Sequence, residues 1–288
     1  MKIIEASELI LNEDRSVYHL NLLPDDIAET IITVGDPDRV SDVSKHFDSI
    51  EIKKGKREFI THTGYIGKKR ITVLSTGIGT DNIDIVMTEL DALVNIDLKS
   101  RSIKPQLQSL NLIRLGTSGS LQKDISVDSI VASTECIGLD NLMLYYNLKN
   151  QNQELLDEFV NHTGTFDIGI QPYHVSGSES LIRKYASEYF KGITVTCSGF
   201  YGPQGRILRN ETAIKNLPDL LTSFSFIEKR ITNFEMETSG IYGMSSLMNH
   251  NALSLSVIVA NRVEKKFSAR AHEMIERLIV QTLEKFAQ

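Results

Sequence analysis

The stretch Asn233-Phe-Glu-Met-Glu-Thr238 lies where one kind of sequence pattern gives way to another. It ends a short apolar segment, Ile231–Met236, that is typical of a strand, and a small-residue pattern typical of a helix follows it. The carboxylates of Glu235 and Glu237 therefore lie at the predicted carboxyl end of a strand, where ligands bind in open α/β sheets. A carboxylate can accept hydrogen bonds from a diol, but acidic residues here can equally complement the dipole of the helix. Taken alone, the stretch leaves both interpretations open.

Strand and helix patterns alternate along the chain on both sides of this stretch. The predicted strands are Thr30–Val34, Ile50–Ile60, Tyr65–Leu74, Leu112–Leu115, Ser129–Ala132, Gly192–Cys197, Ile231–Met236 and Ala252–Ala260. The predicted helices are Arg39–Phe47, Ile83–Val94, Glu154–Val160, Ser178–Phe190, Thr238–Leu247 and a last one after Ser268. This alternation predicts an α/β fold whose central mixed, mostly parallel twisted sheet is flanked by helices on both faces. We expect residues 1–288 to form a single domain, with the polar connector Asp97–Ser109 as a surface excursion.

Composition and charge restrict the classes of function. The 288 residues are 41% hydrophobic and 24% charged, which is ordinary for a soluble globular protein. The net charge of −6 argues against nucleic acid as a partner. Cys136 and Cys197 fit neither a metal-binding spacing nor a disulfide framework, which favours a reducing compartment. The sequence has no signal-peptide core and no apolar run that could span a bilayer, so we expect a cytoplasmic protein without a membrane partner.

Three predicted strand ends combine glycine with an arginine or a hydroxyl group. Glycine lets the backbone approach a ligand closely, free amide groups bind oxyanions, and the arginine fork fits phosphate. Any one of these arginines could instead be a solvated or salt-bridged surface residue. Together they predict an anion site of the size of free phosphate: Gly35 with Arg39, Gly116 and Thr117 with Arg114, and Gly77 and Gly79 with Ser75. The sequence has no G-x-x-x-x-G-K-[ST] loop, which argues against an NTPase.

Five motifs in this order resemble those of the nucleoside phosphorylase family. They are Val34-Gly-Asp-Pro-Asp-Arg-Val40, Ser75-Thr-Gly-Ile-Gly79, Ile113-Arg-Leu-Gly-Thr-Ser-Gly119, Phe234-Glu-Met-Glu237 and Ala260-Asn-Arg262. The resemblance extends from about Val17 to Arg262. The loop Phe200–Arg206 is similar to the aromatic Gln-x-Arg loop with which uridine-cleaving members of the family hold uracil, although Gly202–Pro203 reverses the expected order. Asn261–Arg262 stands where purine-specific members carry Ser-Asp.

The resemblance implies roles for individual residues. Phosphate would be bound by Gly35, Arg39, Arg57, Arg114 and Thr117, ribose by His19, Glu235, Met236 and Glu237, and the base by Phe200, Gln204, Arg206 and Arg262. The residues implied to be catalytic are Arg114, Glu237, Gln204 and Arg206. Arg57 and His19 resemble residues that a neighbouring subunit supplies, which implies a homodimer at least and leaves open a hexamer built as a trimer of dimers. Glu58, Ile71 and Ser75 resemble an interface site for a structural monovalent cation such as K⁺.

The implied reaction is the reversible, phosphate-dependent cleavage of uridine to uracil and ribose 1-phosphate in pyrimidine salvage. Phosphate is then a co-substrate, and the chemistry requires neither a cofactor nor a catalytic metal, because arginines hold the phosphate nucleophile. Two alternatives within the family are a purine nucleoside phosphorylase and a nucleosidase that uses water. A third alternative is a non-catalytic nucleoside-binding protein, since a fold does not determine a function.

Overall fold

The computed structural model describes residues 3–287, which form one large mixed sheet, a separate two-stranded ribbon and seven α-helices. The strands are β1 (Thr30–Val34), β2 (Ser49–Lys56), β3 (Phe59–Ile66), β4 (Lys69–Ser75), β5 (Ile96–Asp97), β6 (Ser102–Ile103), β7 (Asn111–Ser120), β8 (Ile130–Gly138), β9 (Tyr173–Ser176), β10 (Phe190–Thr196), β11 (Ser225–Phe226), β12 (Lys229–Glu235), β13 (Asn251–Asn261) and β14 (Lys266–Phe267). The helices are α1 (Asp38–Ser44), α2 (Thr80–Asn95), α3 (Gln153–Thr163), α4 (Glu179–Tyr185), α5 (Leu217–Ser223), α6 (Thr238–Met248) and α7 (Ala271–Ala287). The ribbon consists of β5 and β6, and the other strands belong to the sheet.

Helices cover both faces of the sheet, as the sequence predicts. On β1, Ile31 packs in a core cluster that includes residues of α2 and α6. Its neighbours Ile32 and Val34 pack in a second cluster that includes residues of α1, α4 and α7. Because β1 is buried on both faces, Ile31, Ile32 and Val34 follow no strict alternation of apolar and polar residues. The predicted α/β fold class is therefore confirmed.

The central strands close on themselves, which the sequence patterns do not predict. From β12 the order runs through β10, β8, β13 and β7, and β7 then pairs with β12 again. The closing contact is short and antiparallel, with Asn233 opposite Ser120 and Phe234 opposite Gly119. Glycine is required at 119, because a Cβ there would approach the Phe234 ring to 2.7 Å. The closure brings the carboxyl ends of β7 and β12 together, although the two strands run in opposite directions.

The predicted strand Ile50–Ile60 is wrong, because the chain reverses direction inside it. The two-residue turn Arg57–Glu58 joins the antiparallel strands β2 and β3. Arg57 has φ 57°, a left-handed conformation that glycine usually adopts in such turns. Gly64 falls in the gap between the predicted strands Ile50–Ile60 and Tyr65–Leu74, but it lies inside β3, where a Cβ would come within 2.0 Å of the Ser49 carbonyl oxygen. Close strand packing, not a turn, explains this glycine.

The predicted strand Tyr65–Leu74 is also wrong, because β3 ends at Ile66 and the antiparallel strand β4 begins at Lys69. Strands β9, β11 and β14 and helix α5 were not predicted. Other differences concern the ends of elements. The predicted helix Ser178–Phe190 is too long, since α4 ends at Tyr185 and Phe190 already begins β10. The connector Asp97–Ser109 contains strand β6 and contributes to the ribbon. Helix α2 contains the predicted helix Ile83–Val94, and its apolar residues at helical spacing are buried: Ile83, Val86, Met87, Leu90, Leu93 and Val94. Within residues 3–287, no helix is both long and apolar enough to cross a membrane.

Candidate active site

A cavity of about 680 Å³ opens where the carboxyl ends of β1, β4, β7, β10, β12 and β13 meet. Its volume lies in the range of small-molecule sites. The parallel register places Val34 beside Ser75 and Thr33 beside Arg114, so the loops that follow β1, β4 and β7 lie at one edge. Most of the predicted site residues line this cavity: Gly35, Arg39, Arg114, Thr117, Phe200, Gln204, Arg206, Glu235, Met236 and Glu237.

Arg114 lies on β7 with its guanidinium group buried between two carboxylates. Its Nη2 donates to Glu237 Oε2 at 2.6 Å and lies 3.2 Å from Glu235 Oε2. Gly116 provides the space, because a Cβ at that position would lie 2.0 Å from Arg114 Nη1. Burial alone would lower the pKa of Arg114, but the two carboxylates outweigh burial and raise that pKa. The guanidinium therefore remains charged and fixed at the floor of the cavity.

Arg39, in the first turn of α1, provides a second positive charge. The side chain is partly buried and has no carboxylate within 4.0 Å among residues 3–287. Burial lowers its pKa, Asp36 acts in the opposite direction, and the positive charge of Arg114 lowers the pKa further. Two guanidinium groups that repel each other across a cavity form a site for an anion, because an anion relieves their repulsion and accepts their hydrogen bonds.

Glu237 faces the same cavity from the start of α6. Its Oε1 accepts a hydrogen bond from the Gly79 backbone N–H at 2.9 Å, and its Oε2 accepts the one from Arg114. The loop before α2 can reach Glu237 because Gly77 and Gly79 adopt φ of 70° and 94°. Burial raises the pKa of Glu237, Arg114 opposes this shift, and the negative charge of Glu235 adds to it. Each oxygen of Glu237 keeps a lone pair with which it could accept a hydrogen bond from a ligand hydroxyl.

Glu235 differs from Glu237 in that the protein itself occupies its oxygens. Its Oε2 accepts hydrogen bonds from the backbone N–H groups of Glu237 and Thr238, both at 2.9 Å. Its Oε1 accepts one from the Thr196 hydroxyl at 2.6 Å. These contacts satisfy the first free N–H groups of α6 and complement its dipole. Of the two interpretations that the stretch leaves open, capping of the helix describes the contacts of Glu235.

The loop Phe200–Arg206, here called the aromatic loop, lines the same cavity through Phe200, Gln204 and Arg206. Arg206 Nη1 donates to the Phe200 carbonyl at 2.6 Å and to Gln204 Oε1 at 2.5 Å. The Arg206 guanidinium carbon lies 3.7 Å from the centroid of the Phe200 ring, a cation–π contact. Arg262 Nη1 donates to the Gln204 carbonyl at 3.1 Å. Burial lowers the pKa of Arg206, and the charge of Arg262 adds to the shift, so this part of the cavity is positively charged.

His19 and Arg57 do not line the cavity of their own chain. His19 Nδ1 lies 2.7 Å from Glu89 Oε1, and Arg57 is exposed in the β2–β3 turn. The two lie on one surface, because Lys56, which precedes Arg57, donates to the Tyr18 carbonyl at 2.6 Å. The Lys56 ammonium also lies 4.1 Å from the centroid of the Tyr18 ring. These two predicted residues thus lie near each other, but neither lines the cavity of its own chain.

Glu58, Ile71 and Ser75 do not form a cluster within one chain. Glu58 lies in the cavity wall, where Asn82 Nδ2 donates to its Oε1 at 3.3 Å. Ser75 Oγ donates to the Glu58 carbonyl at 2.5 Å. Ile71 is buried near the start of β4, whereas Ser75 ends that strand, about 13 Å further along. No group of three or more His, Cys, Asp or Glu side chains that could hold a metal occurs among the side chains that the structure describes. The monovalent cation remains a prediction.

Two kinds of site residue were not predicted from the sequence. Ser254 and Ser256 on β13 lie 3.4 and 3.2 Å from Arg114 Nη1. Their signal was available, because serines at alternate positions of an apolar strand share one face. Thr196, which contacts Glu235, carries no comparable signal, since threonine is common in strands and its partner is distant in the sequence.

Comparisons with known proteins agree with the resemblance of the motifs. The sequence model of the family described as the Phosphorylase superfamily matches residues 29–287. A uridine phosphorylase from Thermococcus kodakarensis is 28% identical over 265 residues, which cover 91% of this chain and 83% of the relative. A DeoD-type purine nucleoside phosphorylase from Bacillus cereus is 27% identical over 243 residues, which cover 83% of this chain and 85% of the relative.

Solved structures give a similar result. A Trypanosoma brucei nucleoside phosphorylase that shows uridine phosphorylase activity superposes with a TM-score of 0.88 at 30% identity, over 96% of this chain and 98% of its own. A structure from work on two uridine phosphorylases of Phytophthora capsici superposes with a TM-score of 0.70 at 20% identity, over 100% of this chain and 99% of its own. At that identity the second likeness shows the fold alone.

Proposed function

The chain belongs to the phosphorylase superfamily, and from this premise we propose that it is a uridine phosphorylase. The reaction is the reversible cleavage of uridine by phosphate to uracil and ribose 1-phosphate. The observation that carries the proposal is the set of groups that line one cavity. The charges of Arg39 and Arg114 act on each other, Arg114 donates to Glu237, and Gln204 and Arg206 of the aromatic loop line the same cavity. These three sets of groups match the anion, the sugar and the polar base that the reaction brings together.

Arg39 and Arg114 support attack by phosphate on the sugar. Positive charge develops on the ribose in the transition state as the bond to the base breaks. A phosphate dianion held by Arg39 and Arg114 lies close to that charge, acts as the nucleophile at C1′ and stabilises the sugar electrostatically. Glu237 accepts hydrogen bonds from ribose hydroxyls and orients the ring. The protein therefore needs no nucleophile of its own.

The aromatic loop supports departure of the base. Uracil presents a donor N–H between two carbonyl oxygens, and an amide side chain can pair with both kinds of group. Arg206 donates to Oε1 of Gln204, which leaves Nε2 without a hydrogen-bond partner among residues 3–287. The Gln204 amide and the Arg206 guanidinium stabilise the negative charge that moves into uracil, and Phe200 packs against its ring. A well-placed donor of this kind contributes about 3 kcal/mol to the transition state.

The same part of the cavity argues against a purine substrate. A purine that leaves as a neutral base needs a proton donor near its ring nitrogen. Arg262 contacts the aromatic loop at the sequence position where purine-specific members of the family carry an acid. The groups found there are the guanidiniums of Arg206 and Arg262, which stabilise an anionic base but do not release a proton at neutral pH.

We also propose that the functional unit is a dimer. His19 and Arg57 lie together on a surface outside their own cavity, so a second copy of the chain could present both to its partner's site. A neighbour's Arg57 would add a third positive charge to the phosphate site, and a neighbour's His19 would meet the ribose. A hexamer built from three such dimers would preserve this arrangement.

Base release tests the proposed function directly. The purified protein is incubated with uridine or inosine, each with and without inorganic phosphate, and the free base is quantified by chromatography. We expect uracil from uridine in the presence of phosphate and negligible hypoxanthine from inosine. Release of hypoxanthine at a similar rate would favour a purine phosphorylase, and release of uracil without phosphate would identify a nucleosidase.

A further inference from the structure

The carboxylate of Glu235 has four partners within the protein. Its two oxygens lie within hydrogen-bond distance of two backbone N–H groups and one hydroxyl, and Oε2 also lies 3.2 Å from Arg114 Nη2. A carboxylate offers about four lone-pair positions, so these partners saturate it. Only 4% of the residue is exposed. A ribose hydroxyl could bind Glu235 only by displacing one of these internal partners.

Thr196 fixes the orientation of this carboxylate. Its hydroxyl accepts a hydrogen bond from the Ser239 backbone N–H at 2.9 Å, so its own proton is free to point at Glu235 Oε1, 2.6 Å away. The residue is fully buried, which excludes water as a competing partner for this hydrogen bond. Buried hydrogen bonds to a charged acceptor are stronger than those between neutral groups. The hydroxyl therefore connects Glu235 to the second residue of α6.

The strand register places Thr196 opposite Glu235. In the parallel pairing of β10 and β12, Thr194 faces Asn233 and Thr196 faces Glu235, after a shift of register at Ile193. The two side chains consequently point to the same side of the sheet. A backbone hydrogen bond also links the two segments, because the Cys197 N–H donates to the Glu235 carbonyl at 2.8 Å.

We propose that Thr196 is a positioning residue of the active site: through Glu235 it holds Arg114 and Glu237 in place. Arg114 Nη2 lies between Glu235 and Glu237, and Glu235 also accepts the backbone N–H of Glu237. If Glu235 rotates, Arg114 loses one of its two carboxylates and Glu237 loses the anchor of its backbone. Thr196 does not line the cavity, so its effect reaches the substrates through these three residues.

This inference rests on the proposed function and changes the role of one residue in it, Glu235. Glu235 serves as the internal support of Arg114, and Glu237 alone of the two carboxylates contacts the ribose. Misplacement of reacting groups by about 1 Å can lower a rate by roughly a hundredfold, so loss of the support has a measurable effect.

The test compares Thr196→Val, which removes the hydroxyl at nearly constant volume, with Thr196→Ser, which keeps it. A matched control is Thr72→Val, because Thr72 is also fully buried and its hydroxyl also accepts a backbone N–H, that of Ala28 at 2.8 Å. We expect Thr196→Val to lower kcat by roughly ten- to a hundredfold with little change in the KM for uridine. Thr196→Ser and Thr72→Val should keep kcat close to that of the wild type. Thermal unfolding of all four proteins separates these effects from a loss of folded protein.

A second measurement does not depend on turnover. Calorimetric titration with inorganic phosphate reports the placement of Arg114, and we expect Thr196→Val to bind phosphate several-fold more weakly than Thr196→Ser. Equal phosphate binding and equal kcat in the two variants would overturn the inference. So would a Thr196→Ser protein as impaired as Thr196→Val. If the wild type fails to cleave uridine, the proposed function fails, and the phosphate titration still decides whether Thr196 positions Arg114. Should Thr196→Val not fold, Glu235→Gln tests the same support.

Discussion

Arg114 and Glu237 form an ion pair that lies in the wall of the candidate cavity and joins β7 to the start of α6. Arg114 Nη2 and Glu237 Oε2 are 2.6 Å apart, and the side chains are 6% and 8% exposed. Arg114 lies on β7 and Glu237 lies two residues beyond the end of β12, and the closing contact between these strands brings the two segments together. A buried pair of this kind fixes the position of both groups before a ligand arrives, which is the property that electrostatic catalysis requires.

Replacement of Arg114 by Met should destabilise the fold, because it leaves Glu235 and Glu237 buried without a cation. We expect a loss of about 3–5 kcal/mol in the free energy of unfolding, measured with urea at pH 8. The matched control is Arg230→Met, which breaks the exposed Arg230–Asp124 pair and should cost less than about 1 kcal/mol. A loss as small as that of the control would show that the two carboxylates do not depend on Arg114.

The same variant should be less unstable at low pH. Burial already raises the pKa of Glu237 in the folded wild type, and removal of the opposing Arg114 charge raises it further. When the folded pKa exceeds the unfolded one, the unfolded state binds fewer protons and stability falls as pH rises through the folded pKa. The difference between Arg114→Met and the wild type should therefore shrink from pH 8 to pH 5. A difference independent of pH would contradict this explanation.

The sequence predicts which strand ends meet around the cavity, but it does not predict that the sheet closes through the contact between β7 and β12. Parallel strands that end in glycine place their loops together, and this rule correctly gathers Gly35, Arg39 and Arg114 around one cavity. The short β7–β12 contact follows no pattern of composition or period, since it depends on a long-range approach that Gly119 permits to Phe234. The strand ends were thus predictable, but the way in which β12 reaches β7 was not.

Local and distant partners explain the remaining differences. Glu235 and Glu237 look alike in the sequence. Their contacts differ because Thr196 donates to Glu235 and Gly79 donates to Glu237, and both partners come from other parts of the chain. Arg57 occupies a left-handed turn that composition assigns to glycine, so the reversal between β2 and β3 had no signal. Where a role depends on backbone conformation or on partners far along the chain, one sequence does not reveal it.

The base site of the cavity should depend on Arg206. Arg206→Ala removes the cation–π contact with Phe200 and the hydrogen bond that orients Gln204, so it affects both polar groups of the aromatic loop. We expect kcat/KM for uridine to fall by roughly a hundredfold or more, from initial rates of uracil release. Arg209→Ala is the control, since Arg209 is exposed a few residues further along and carries the same charge. Equal effects of the two variants would place the base elsewhere.

Glu135 should contribute stability that disappears in acid. The nearby His174 imidazole, whose Nε2 lies 3.7 Å from Glu135 Oε2, lowers the pKa of Glu135, and Lys229 Nζ, 2.5 Å from Oε1, adds to this shift against the effect of burial. A carboxyl whose folded pKa is lowered stabilises the fold above its unfolded pKa, and this contribution is lost as pH falls through the folded value. Glu135→Gln should cost about 1 kcal/mol at pH 7 and almost nothing near pH 3. Glu228→Gln, at an exposed site in the adjoining turn, should change stability at neither pH.

The variant Arg57→Gly tests the proposed dimer, because it should change the activity of the protein without lowering its stability. Its φ of 57° is unfavourable for residues other than glycine, so Arg57→Gly should fold as stably as the wild type or up to about 1 kcal/mol more stably. Urea unfolding of the variant checks this. If the side chain adds a positive charge to a partner's phosphate site, the same variant should lose activity although its fold is intact. A variant that is both less stable and less active would instead assign Arg57 a structural role.

Mixed dimers show whether Arg57 acts in the partner's site. Arg57→Gly and Arg206→Ala are each expected to be nearly inactive alone. The two variant chains are co-expressed with different tags, and all dimers that they form are purified together. In a mixed dimer, the chain that carries Arg57→Gly keeps its own Arg206 and receives an intact Arg57 from its partner, so one of the two sites is complete. With random pairing of equal amounts, half of the dimers are mixed, and activity should return to about one quarter of the wild-type value per chain. If Arg57 acted within its own chain, neither site of a mixed dimer would be complete, and activity would stay at the level of the single variants.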